Sequence, residues 1–79
     1  MESKYVVDTI QLKKIMVEQN LDTIIELSNE SGIDRNTLSK IINGDVRPST
    51  LAMERLILAL KIPTDDAGKI FFSQNLRNT

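Results

Sequence analysis

Arg35 and Asn36 stand side by side, and Ser39 and Lys40 follow them, each four residues further on. A spacing of four returns to the same side of an α-helix one turn later, so the set shares one face. Arginine carries a planar fork of donors that fits the O6 and N7 of guanine, and the amide of asparagine fits N6 and N7 of adenine. Lys40 adds a mobile positive charge, and Ser39 is either a small hydroxyl contact or a spacer. Thr37 and Asn43 are neutral donors of the kind that bond phosphate oxygens and set register without reading sequence. Asn43 also reads as the cap that ends its helix. Arg47, in the loop that follows, is a phosphate candidate by charge alone. The plainer account of all these residues is an ordinary wet helix surface.

The elements that would hold this face are legible nearby. Thr23 with Glu26 three residues on is a capping box, and it opens a helix over 23–31 that turns Leu27 and Ser28 inward. Gly32 can take the left-handed conformation that ends such a helix. Asp34 then caps a second helix over 34–42, with Leu38 and Ile41 on its inner face and Asn43-Gly44 at its end. Two short helices hinged by a turn of three or four residues form a helix-turn-helix, whose second helix can enter a DNA major groove. Thr23, at a helix start with free N–H groups, can meet a phosphate while it caps.

Three further helices complete the reading. The first runs over 9–20, capped by Asp8 or Thr9, with Leu12, Ile15 and Met16 inward. The fourth starts on Ser49, presents Met53, Leu56, Ile57 and Leu60, and closes at Pro63. The fifth begins at Thr64 with Asp65 and Asp66 in its first turn, and turns Ala67, Ile70 and Phe71 inward. No strand pattern is visible, and residues 1–7 and 73–79 carry no assignment.

Ten basic residues stand against eleven acidic ones, a net charge of −1. That balance is awkward for a partner whose phosphates supply most non-specific affinity. The distribution is uneven, however. No positive charge occurs from Ile15 to Asp34, where Glu18, Asp22, Glu26, Glu30 and Asp34 recur every four residues. Arg35, Lys40 and Arg47 follow against Asp45. The acidic series reads as a solvated outer face or, less simply, as a protein-binding one. With no Cys and no His, the chain lacks thiolate ligands, the commonest metal ligand and the usual general base. No catalytic constellation, metal site or cofactor is expected. The longest apolar run, Leu56 to Leu60, is too short for a membrane span, and the first residues lack a signal-peptide core. The expectation is one soluble, cytoplasmic domain over 1–79, with its core at about 9–72.

The stretch resembles the Cro and lambda-repressor type of helix-turn-helix, found in phage repressors and small bacterial regulators. The matching residues are Thr23, Leu27, Ser28 (usually Ala in the family), Gly32-Ile33, Arg35, Thr37 to Ile41, Asn43-Gly44 and Pro48-Ser49. They continue through Met53, Leu56, Ile57, Ala59, Leu60 and Ile62. The resemblance implies an all-α, compact five-helix lambda-repressor-like fold that binds a double-stranded DNA operator as a transcriptional repressor. It implies base reading at Arg35, Asn36, Ser39 and Lys40, beside which Thr23, Thr37, Asn43 and Arg47 remain backbone candidates on their own chemistry. One departure stands out: the family usually has a phosphate-bonding Gln where this chain has Ile24, and Ile25 is apolar too. Ile24-Ile25 are either extra core packing or a protein-binding patch. They keep open the alternative of a protein-binding module, an antirepressor or antitoxin-like partner on the same fold. Lys13 and Lys14 can reach flanking backbone. At the far end, Phe71 and Phe72 lie about 100° apart on a helix, so both cannot point inward. Phe72 with Leu76 is therefore either a homodimer patch or a surface covered by residues 73–79.

Overall fold

Helix caps, more than average propensities, decide where this chain changes direction. In the computed structural model, which describes residues 5–74, the order is β1 (Tyr5–Val6), α1 (Thr9–Glu18), α2 (Ile24–Ser31), α3 (Arg35–Ile42), α4 (Thr50–Leu60), α5 (Thr64–Phe71) and β2 (Ser73–Gln74). Four helices begin on a side-chain cap. Asp8 accepts from the Gln11 N–H, Thr23 from Glu26, Asp34 from Thr37 and Ser49 from Ala52. Each cap occupies a donor that the first helical turn would otherwise leave unpaired. The fifth helix starts at Thr64 as expected and has no side-chain cap; Pro63 occupies that position, and its carbonyl receives the N–H groups of Asp66 and Ala67.

The inward stripes join in one core. Leu12, Leu27, Leu38, Ile41, Leu56, Leu60, Ile70 and Phe71 are its fully buried side chains. Truncating one of the leucines to alanine would cost about 2–5 kcal/mol. α2 packs on α3 and α4, while α1 packs on α3 and α5. Met53 and Ile57 pack against this core while partly buried, and Ala52 joins it from the same helix.

Two helix ends and the pairing of the terminal segments differ from the sequence expectation. The first helix ends at Glu18, two residues early, because Asn20 turns left-handed (φ 58°) and Leu21 N–H bonds the Met16 carbonyl at 2.8 Å. The fourth ends at Leu60, before Pro63 acts: Lys61 is left-handed (φ 53°) and Ile62 N–H returns to the Ile57 carbonyl at 3.0 Å. That return bond is the Schellman closure, in an αL position usually given to glycine. Finally, two strands exist where none was expected. Tyr5 pairs with Gln74 and Val6 with Ser73, antiparallel. Strands of two residues have no alternation to read, and this pairing follows from the core bringing both ends of the chain together. Asp8 N–H bonds the Ile70 carbonyl at 2.7 Å beside the ladder.

Candidate nucleic-acid interface

The turn between α2 and α3 is held from three sides. Gly32 is left-handed (φ 76°), which L side chains rarely adopt. The Ser28 hydroxyl donates to the Ile33 carbonyl at 2.6 Å, and the Ile33 N–H donates to Ser31 Oγ at 3.2 Å. From α4, Arg55 Nη1 donates to the Gly32 carbonyl at 3.0 Å. A Cβ at residue 32 would meet that same Nη1 at 3.2 Å, so a side chain there is opposed by both conformation and space. Ser28 in place of the usual alanine is thus a structural donor. Ser31 and Arg55 were not singled out in the sequence: Ser31 reads as one more polar residue at the end of α2, and nothing in the spacing of Arg55, on α4, ties it to this turn.

The start of α3 is fixed by Asp34. Its Oδ2 accepts the Thr37 N–H at 3.0 Å and its Oδ1 accepts the Thr37 hydroxyl at 2.7 Å. The Thr37 hydroxyl bond, then its backbone bond, hold the Asp34 carboxyl below the ordinary aspartate range by favouring its charged form. At the other end of α3, Gly44 is left-handed (φ 80°), and Asp45 N–H closes onto the Lys40 carbonyl at 2.8 Å. With both ends locked, α3 buries Leu38, Ile41 and Ile42 and leaves Arg35, Asn36, Thr37 and Lys40 exposed, with Ser39 half-buried. Of the four residues expected to read bases, Arg35, Asn36 and Lys40 are therefore exposed on α3, and Ser39 is half-buried beside them.

The residues expected on the DNA backbone are arranged less uniformly. Thr23 accepts the Glu26 N–H at 3.1 Å and gives its own hydroxyl hydrogen to the Glu26 carboxylate at 2.8 Å. Thr37 likewise donates to Asp34. Asn43 is the C-cap residue of α3, and its amide reaches Ser39 Oγ only at 3.5 Å. Arg47 reaches to β1 and the end of α5: Nη1 donates to the Tyr5 carbonyl at 3.1 Å and Nη2 to the Phe71 carbonyl at 3.4 Å. Charge alone pointed it at a phosphate, because the two carbonyls come from residues far away in sequence.

Between α1 and α3 lies an open cleft of about 390 Å³, lined by Lys13, Met16, Ile24, Ser39, Ile42 and Asn43 among others. It brings Lys13 beside two of the α3 candidates. Ile24 lines the cleft and packs partly against the core, whereas Ile25 remains 54% exposed. Glu18, Asp22, Glu26 and Glu30 are all exposed. Phe72 is 49% exposed; Leu76, its expected neighbour in an apolar patch, lies outside the described residues. Among the described residues, no helix is long and apolar enough to cross a membrane, and no group of three or more His, Cys, Asp or Glu could hold a metal ion.

No curated protein and no solved structure matches the chain. A family model described as helix-turn-helix matches residues 12–66, more than half of the sequence. That span runs from the first core residue of α1 into α5 and contains the whole locked turn and α3. The chain belongs to the Cro and lambda-repressor type of helix-turn-helix family, whose members bind DNA and regulate transcription.

Proposed function

We propose that the chain binds duplex DNA sequence-specifically, laying α3 in the major groove, and represses transcription in the manner of a phage or mobile-element regulator. The observation that carries this reading is the set Arg35, Asn36 and Lys40, exposed, with half-buried Ser39 beside them, on a helix capped at both ends. Arg35 and Asn36, in the first turn, reach deepest and read base edges. Lys40 and Ser39 contact the next positions. Asn43 bonds a phosphate, and Thr23 and Thr37 reach the backbone by exchanging their local partners for it. The mechanism is steric: an occupied operator blocks polymerase. The whole chain acts as a single cytoplasmic domain and does no catalysis.

The net charge of −1 makes non-specific affinity weak, so most of the binding free energy has to come from base contacts and fit. Pairing through Phe72 would set two recognition helices about 34 Å apart, one DNA turn, on a pseudo-palindromic operator. The test is a salt-titrated binding measurement on random duplex and on sequences selected from it. A second reading, a protein-binding module on the same fold, is favoured by Ile25, exposed beside the acidic outer face. It predicts no salt-dependent binding to any duplex.

A further inference from the structure

Arg47 sits in the loop between α3 and α4, yet its guanidinium belongs to the ends of the chain. One arm donates to the Tyr5 carbonyl in β1 and the other to the Phe71 carbonyl at the end of α5. Its Cζ also lies 5.0 Å from the centre of the Phe72 ring, and the Tyr5 ring meets Phe72 edge-on at 6.2 Å. One side chain thus joins three segments that have no sequence proximity. A forked, planar cation suits two carbonyl bonds and a cation–π contact made together. The terminal ribbon, the start of α1 and the end of the recognition helix border one opening. A second cleft, of about 340 Å³, is lined by Val6, Val7 and Ser73 together with Asn43 and Gly44. The loop itself is tied to α3, since Asp45 N–H and Val46 N–H both reach the Lys40 carbonyl, and its Pro48 is buried.

We infer that Arg47 is a positioning residue for DNA binding: it latches the loop after α3 to the terminal ribbon and so holds Asn43 and the end of α3 in place. It does not itself contact phosphate. This inference rests on the DNA-binding reading, but part of it can be tested without DNA. The two roles make opposite predictions for a pair of variants. A phosphate contact tolerates Arg47→Lys, which keeps the charge. It responds to Arg47→Gln with a binding slope in log[salt] shallower by about 0.9, the share of one phosphate. A latch is weakened in both variants, because the single nitrogen of lysine cannot reproduce two guanidinium nitrogens held apart by a planar fork, and the slope stays at the wild-type value.

The experiment measures amide hydrogen exchange at residues 5–8 and 72–74 in the free protein. It then measures salt-titrated affinity for a selected duplex, using wild type, Arg47→Lys and Arg47→Gln. Expected for both variants are exchange about tenfold faster at the ribbon, as for loss of one charged hydrogen bond, weaker DNA binding and an unchanged slope. Exchange in the middle of α2 and α4 should stay near wild type, which separates an opened ribbon from an unfolded chain. Near-wild-type binding by Arg47→Lys, or unchanged ribbon exchange in both variants, overturns the inference. Failure of the wild type to bind any duplex sinks the DNA reading itself, and the exchange arm still decides whether Arg47 is a latch.

Discussion

Arg35 and Asp34 are neighbours with opposite duties, and each can be tested alone. Arg35 has an exposed side chain at the start of α3, where a recognition helix goes deepest. Arg35→Ala should cost about 1–3 kcal/mol on the best operator and relax preference at one base pair. Competition between operator variants measures this, and unchanged preference would mean that α3 is misplaced on DNA. Asp34 works on the helix itself. Its carboxyl is held below the ordinary range in the fold, so it binds its proton less readily folded than unfolded. Its contribution is therefore present in full above about pH 4 and fades as pH falls through the lowered folded value. Asp34→Asn keeps a capping oxygen but removes the charge. The urea midpoint of wild type should exceed that of Asp34→Asn near neutral pH, with the gap narrowing as the solution is acidified. A gap independent of pH would contradict this account.

At the scale of elements, the caps were the readable part. Thr23, Asp34 and Ser49 are local signals that act within three residues, and each caps the helix the sequence assigned to it. Gly32 and Gly44 were readable for a similar reason, since a left-handed helix end favours glycine. What escaped were devices that depend on tertiary neighbours. Arg55 holds the Gly32 carbonyl across 23 residues of sequence, and Arg47 holds Tyr5 across 42. The two-residue strands carry no pattern at all. Lys61 is a different kind of miss: the apolar stripe ran on to Pro63, and nothing marked a lysine as the residue that turns left-handed. That conformation costs a non-glycine residue roughly 1–2 kcal/mol. Lys61→Gly should therefore raise stability, by about 1 kcal/mol once the extra freedom of glycine in the unfolded chain is counted. In a domain of this size that is a rise in Tm of about 4–8 °C. An unchanged or lower Tm would show that Lys61 makes a compensating contact.

The molecule as a whole is defined by two features that pull apart: a helix-turn-helix built for a polyanion, and a slightly negative net charge. The expected operator contacts concentrate on α3 and the residues around it, and the acidic residues from Glu18 to Glu30 are exposed on other elements. Self-association would double the few contacts available. Phe72 is covered on one side by Tyr5 and Arg47 and remains half exposed, which suits a partner ring or aliphatic side chain. In sedimentation, the wild type should dimerise by the high micromolar range, and Phe72→Ser should shift it to monomer and weaken binding to a two-half-site operator. A monomeric wild type, with equal operator binding by the mutant, would remove Phe72 from any interface. The central claim, that α3 reads duplex DNA, is tested most directly by titrating binding against salt on random duplex and on duplex selected from a random pool. The account predicts weak random-duplex binding that disappears at moderate salt, and a selected sequence bound at least about 10³-fold more tightly. For both, log K should fall linearly with log[salt]. Selection that yields no preferred sequence, with no salt-dependent binding to any duplex, would contradict it.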